Sequence, residues 1–104
     1  MTGETLKGHL DALVLASLRD GPLHGYAIIE ALKRRSEGAF DLAEGTVYPV
    51  LHRLEAEGLL ASAWSSAAGR RRRVYRLTRR GRAALARRRE DWRDFVRAVE
   101  AVLA

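Results

Sequence analysis

The sequence predicts a mainly α-helical chain that carries one small β-hairpin and ends on a long helix. Three observations predict it. Apolar residues recur at helical spacing through most of residues 8–58. After Gly58 the period shortens to two on either side of a tip of small residues. From Arg79 to Leu103 the apolar repeat lengthens to seven. A chain of 104 residues with 47% hydrophobic content fits one domain with a packed core.

Residues 1–7 show no periodicity and are expected to fray. A first helix is predicted from about Gly8 to Arg19. Leu10, Leu13, Val14 and Leu18 form its stripe, with Leu15 at the margin and His9 a surface or capping residue. Asp20-Gly21-Pro22 stops it, glycine at the end and proline just beyond. Leu23-His24 leads into a second helix over about Gly25 to Ser36, buried through Ile28, Ile29 and Leu32. Phe40 and Leu42 anchor the next connection, where Asp41 is a candidate cap.

A third helix starts between Glu44 and Thr46 and ends at Gly58, which tolerates positive φ. Val47, Val50, Leu51 and Leu54 fall in one stripe about 100° wide. The opposite face carries Gly45, Pro49, His52 and Ala56, flanked by Thr46, Tyr48 and Arg53. A solvated face would hold Lys and Glu there; this one is flat and nearly uncharged, as a face laid against another surface would be. Pro49 is cheap only in the first turn, where its missing donor is unused anyway. The cost falls if the helix starts near Gly45 or Thr46, and its start is therefore placed at Glu44 to Thr46.

Beyond Gly58, Leu60, Ser62 and Trp64 alternate with Leu59, Ala61 and Ala63. Ser65, Ser66, Ala67, Ala68 and Gly69 follow, then Arg70 to Arg73 and Val74-Tyr75-Arg76-Leu77. Strand, small tip, strand is a hairpin, in which Trp64 and Tyr75 are read as facing the core. Four consecutive arginines place charge on both faces of a strand, which suits a hairpin projecting onto phosphates. Three helices followed by such a hairpin make a winged helix-turn-helix. The third helix would then enter a DNA major groove.

Thr78 is placed to cap the last helix. There Leu85, Trp92 and Val99 are seven apart, as are Arg88, Phe95 and Val102, with Arg88 the one departure from an a/d seam. Val96 and Leu103 widen the stripe. Such a seam needs cover, either from the same helix of a second copy or from the first helix of its own domain. A two-fold dimer is the leading expectation. Residues 1–77 are thus read as the DNA-binding domain and 78–104 as a C-terminal dimerisation helix.

Charge supports the same division. Residues 1–69 hold 6 basic and 9 acidic side chains, whereas residues 70–104 hold 13 and 4, within a total of +6. Positive charge concentrated in the last third suits a polyanion partner. The absence of cysteine excludes a disulfide framework, a thiolate zinc site and a thiol nucleophile. It fits a cytoplasmic setting, as does the lack of any apolar run near the ~18 residues of a membrane span. His9, His24 and His52 lie on separate elements, and no paired carboxylates, phosphate loop or metal-ligand spacing occurs, so no enzyme and no cofactor is expected.

The residues now assembled resemble the PadR family of bacterial transcriptional regulators, in its short form with a single C-terminal helix. The resemblance rests on Leu13-Val14-Leu15-Ala16-Ser17-Leu18 with Gly21-Pro22-Leu23-His24-Gly25-Tyr26, and on Gly45-Thr46-Val47-Tyr48-Pro49-Val50-Leu51-His52-Arg53-Leu54-Glu55. It continues through Gly58-Leu59-Leu60 and Arg73-Val74-Tyr75-Arg76-Leu77-Thr78-Arg79-Arg80-Gly81. It implies a homodimeric repressor whose third helix and wing meet DNA, and which a small hydrophobic or phenolic effector releases. It also sets Thr46, Tyr48 and Pro49 on the family's recognition-helix motif and Tyr26 on its Gly-Tyr.

From the residues themselves, Thr46, His52 and Arg53 are candidates for base edges, and Tyr26 and Tyr48 for phosphate donors. Ring packing between helices is the competing role for Tyr48. Arg70, Arg71, Arg72 and Arg73 are expected to follow phosphates or reach the minor groove. Trp92 and Phe95 are either seam core or a candidate effector pocket. A winged helix that binds protein rather than DNA remains the alternative, and would leave the arginine run unexplained. An RNA binder would need exposed aromatics for base stacking.

Overall fold

The computed structural model describes residue 6, residues 8–66 and residues 69–104; the predicted fray over 1–7, save Leu6, and Ala67 and Ala68 of the hairpin tip lie outside them. In chain order the elements are α1 (Leu10–Ser17), β1 (Leu23–His24), α2 (Gly25–Arg35), α3 (Glu44–Ala56), β2 (Leu60–Ser65), β3 (Arg72–Leu77) and α4 (Arg79–Leu103). The mainly α reading with one hairpin is correct. The hairpin gains a third strand: the antiparallel sheet runs β1-β3-β2. Leu23 lies opposite Tyr75 and His24 opposite Val74, so the approach to α2 is itself part of the wing's sheet.

The core forms where the apolar stripes of α1, α2 and α3 meet the base of the hairpin. Val14, Leu15, Leu18, Ile28, Leu32, Val47, Leu51 and Leu54 are buried there with Leu60, Tyr75, Leu77 and Leu85. Leu15, expected at the margin, is fully buried, whereas Leu10 and Leu13 are only half-covered.

Helix ends explain the connections. At the end of α3, the Leu59 N–H reaches the Leu54 carbonyl at 3.0 Å and the Gly58 N–H that of Glu55 at 3.0 Å. Gly58 takes φ 79°, the left-handed conformation this closure needs. At the other end α3 begins at Glu44, after Ala43, which makes no side-chain cap. Pro49 is therefore in the second turn, not the first, and deprives the Gly45 carbonyl of its usual donor. Gly45 is exposed, so water can serve that carbonyl. Among the described residues Asp41 caps no helix; it lies 3.8 Å from Lys33 in an exposed pair.

The last helix spans Arg79–Leu103 as predicted, and the Thr78 hydroxyl accepts from the Gly81 N–H at 3.0 Å. Its first half lies against α1. Leu85 is buried, the His9 ring meets Trp92 edge-on at 5.2 Å, and Arg88 donates to the Gly8 carbonyl at 3.4 Å. His9 precedes α1 without capping it through its side chain. Beyond that the stripe is bare: Phe95 is 57% exposed and Val102 84%. Cover from α1 thus accounts for the root of the helix and leaves its outer seam largely uncovered among the described residues.

Candidate nucleic-acid interface

The face of α3 opposite the core is open. Thr46, Pro49, His52, Arg53 and Ala56 are exposed along with Gly45, while Val47, Leu51 and Leu54 have no solvent contact. Beside this face, the start of α2, the start of α3 and the tip of the hairpin enclose a cleft of about 780 Å³. Its walls include His24, Tyr26, Tyr48, Trp64 and Arg70 to Arg73, with Glu30 and Glu44 at the acidic side. The fold therefore brings Tyr26, Tyr48 and the four arginines to one place. Thr46, Pro49, His52 and Arg53 stand on the adjoining helix face, outside the cleft lining.

The tyrosines differ. Tyr26 is exposed on the first turn of α2. Tyr48 is half-buried across the start of α2, where a Cβ on Gly25 would lie 2.5 Å from its hydroxyl oxygen. A side chain at position 25 would have to displace that ring. Tyr48 thus has the interhelical packing role, with its ring edge on the cleft.

The four arginines also separate. Arg70 and Arg71 sit on the tip, and neither has an acidic partner among the described residues. Arg72 and Arg73 lie in β3. Arg72 Nη1 is 2.8 Å from His24 Nε2, while His24 Nδ1 accepts the Ala27 N–H at 3.2 Å to cap α2. A neutral imidazole has one lone pair in its ring plane. It can serve the cap or Arg72, not both, so Arg72 is held weakly. Arg73 is held firmly: its Nε donates to Ser62 Oγ at 2.8 Å, and its Nη2 lies 3.7 Å from Glu55 Oε2. The Ser62 hydroxyl in turn donates to Glu55 at 2.6 Å. This chain ties the hairpin to the last turn of α3.

Trp64 does not face the core as the alternation suggested. It is 55% exposed, with the guanidinium carbon of Arg71 at 4.6 Å from the ring centre and that of Arg73 at 5.4 Å. The reason is its place along the hairpin. Leu60 and Leu77 pair at the base over the core, and Ser62 and Tyr75 follow, but Trp64 and Arg73 pair nearer the tip, where the ring opens onto the cleft rather than the core. Tyr75 is core, as expected. An exposed ring is what base stacking needs, so Trp64 no longer weighs against RNA; arginine cover makes it a cation–π platform instead.

Arg53 is engaged as well. It makes a two-pronged pair with the Asp11 carboxylate of α1, one prong at 3.1 Å, and donates to Glu57 at 3.3 Å. The hydrogen bond and charge of Asp11 push the Arg53 guanidinium pKa further up. The expected base reader is thus tied to its own protein on the flank of the open face. Apart from Glu57, four residues along from Arg53, nothing nearby in sequence signals these partners. Asp11 lies 42 residues from Arg53, and Ser62 lies 11 from Arg73.

Trp92 and Phe95 stand side by side, ring centres 5.9 Å apart and planes inclined by 37°. Among the described residues no cluster of His, Cys, Asp or Glu could hold a metal, and no helix is long and apolar enough to cross a membrane.

Comparison with known proteins agrees with this geometry. Residues 14–87 match the transcriptional regulator PadR-like family. A transcriptional regulator of Mycobacterium tuberculosis is 42% identical over 83% of this chain and 78% of its own length. The crystal structure of a PadR family transcription regulator from Clostridium difficile superposes with a TM-score of 0.82, at 31% identity over 93% of this chain and all of that one. A PadR family regulator from Eggerthella lenta gives 0.83, at 34% identity over 96% of this chain and 86% of that one. Regulation, not catalysis, is the work of such proteins. By sequence and by fold, this chain belongs to the PadR-like family of transcriptional regulators.

Proposed function

We propose that this protein is a sequence-specific repressor that binds DNA as a homodimer in the bacterial cytoplasm. The observation that carries the reading is the single surface shared by the open face of α3 and the arginine-bearing tip of the hairpin. In the proposed complex α3 enters the major groove, where Thr46, His52 and Arg53 meet base edges. Tyr26 and the rim of Tyr48 meet phosphate, and Arg70 and Arg71 follow the backbone or enter the minor groove. Arg72 leaves His24 readily to join them. Pro49 keeps the face flat.

The bare outer seam of α4 supports dimerisation. Trp92, Phe95, Val96, Val99, Val102 and Leu103 would close on the same residues of a second copy, with Leu85 continuing the seam into the core. Two recognition helices related by that axis would meet successive major grooves about 34 Å apart on a pseudo-palindromic operator. Trp92 and Phe95, stacked at the seam, would accept a flat hydrophobic effector whose binding reshapes the dimer and releases DNA.

Selection of bound fragments from the source genome, followed by affinity against salt, tests the reading. One recovered palindrome and a steep salt dependence are expected. No binding at low salt would instead favour a winged helix that recognises protein. Quenching of Trp92 fluorescence by planar aromatics in a Trp64→Phe background tests the effector site, and its absence would remove that part.

A further inference from the structure

Asp11 stands where three helices meet. Its Oδ2 accepts from Arg53 Nη1 of α3 at 3.1 Å, its Oδ1 bonds Arg53 Nη2, and Arg88 Nη2 of α4 lies 3.8 Å from Oδ2. The Asp11 side chain is only 21% exposed. A carboxylate that sheltered is costly to leave without a cation. Arg53 is the only cation that α3 carries, and in the free protein its charge is already answered.

We propose that Asp11 is a positioning residue that withholds Arg53 from DNA until a base edge is offered that can replace the carboxylate. The inference rests on the DNA-binding reading above. A lone phosphate offers Arg53 no more than Asp11 does, so exchange gains little on random sequence. A guanine edge presents two acceptors, O6 and N7, in the geometry of the guanidinium fork. In the groove-bound arrangement proposed above the released fork faces base edges, and guanine alone matches the carboxylate in number of hydrogen bonds, whereas other edges leave part of the fork unpaired. Arg88 makes the exchange reversible, because it can close on Oδ2 when Arg53 departs and keeps the carboxylate paired. The ion pair thus acts as an internal competitor for non-specific contacts, and sequence discrimination is its product.

The test uses the full chain, its selected operator and a random duplex of equal length. Asp11→Asn frees Arg53 for any phosphate. It should steepen the salt dependence on random DNA by about 0.9 in log–log slope and raise affinity there on the order of threefold to tenfold, with operator binding little changed. The ratio of operator to random affinity falls accordingly. Adding Arg53→Ala should return the random-DNA slope to the wild-type value, and Asp11→Glu, which keeps the charge, should keep the discrimination. An unchanged ratio in Asp11→Asn, or a changed one that persists without Arg53, overturns the proposal. Should Asp11→Asn fail to fold, Arg53→Ala alone decides. It should weaken operator binding without changing the random-DNA slope; a slope shallower by about one shows that Arg53 was never withheld. If the wild-type protein has no sequence preference, the DNA reading itself fails and this inference with it. A wild-type preference retained in Asp11→Asn removes only the role of Asp11.

Discussion

The Thr78 hydroxyl joins two helix ends, donating to the Gly58 carbonyl at 2.7 Å and accepting the Gly81 N–H at 3.0 Å. The Thr78 N–H adds a bond to the Leu59 carbonyl at 3.1 Å. One residue therefore closes α3, leaves β3 and opens α4. Gly81 completes the junction, because a Cβ there would lie 2.0 Å from the Leu59 carbonyl oxygen.

Thr78→Val should destabilise the fold by about 1–2 kcal/mol, the usual loss for a helix cap with a second bond. Gly81→Ala should cost more, since the atom it strikes is backbone and cannot step aside. Urea unfolding of both variants checks the order; an unchanged midpoint for Gly81→Ala would mean that the junction is looser than described.

Phe95→Glu places charge in the outer seam of α4 without touching the core. The expected outcome is a monomer in sedimentation equilibrium with a retained helical circular dichroism signal. A dimer that survives the change would locate the interface elsewhere.

The arginine run should divide functionally. Replacing Arg70 and Arg71 together by Ala should weaken binding to every sequence and reduce the salt slope by up to about 1.8. Arg73→Ala should reduce it far less, because Arg73 is spent on Ser62 and Glu55. Equal slopes for the two variants would contradict this division.

Tyr75 gives a pH dependence. Burial, then the charge of Glu55, raises its phenol pKa above the unfolded value of about 10. The unfolded chain thus loses the proton first. The stability this group contributes is complete below about pH 10 and is lost as pH rises through the folded value. Tyr75→Phe should flatten the alkaline limb of the melting-temperature profile, and an identical limb would assign it to another group.

Local signals were well legible. Thr78, Gly58 and the seven-residue repeat each act through neighbours in the chain, and the ends they predict for α3 and α4 match the structure. What depends on distant contacts was not. Leu23-His24 becomes a strand only because Tyr75 and Val74 lie alongside, and two residues carry no period. Alternation assigned Trp64 to the correct side of the hairpin. It could not tell that the core ends before that point and a cleft begins. The residues proposed to face DNA were chosen by residue type, yet their internal partners Asp11, His24 and Glu55 were silent in sequence, because ion pairs across helices depend on the folded crossing of those helices.

One uninterrupted rod carries the seam. The 25 residues of α4 span about 37 Å, so tilting it by about 5° about its root moves the far end about 3 Å. The root is fixed in the core by Leu85 and Gly81, while the outer turns are bare. Substitutions in those outer turns can therefore redirect the rod without altering any residue near the cleft. In the proposed dimer, the separation and angle between protomers, and hence the spacing of the half-sites they would fit, could drift in evolution independently of the letters each protomer would read.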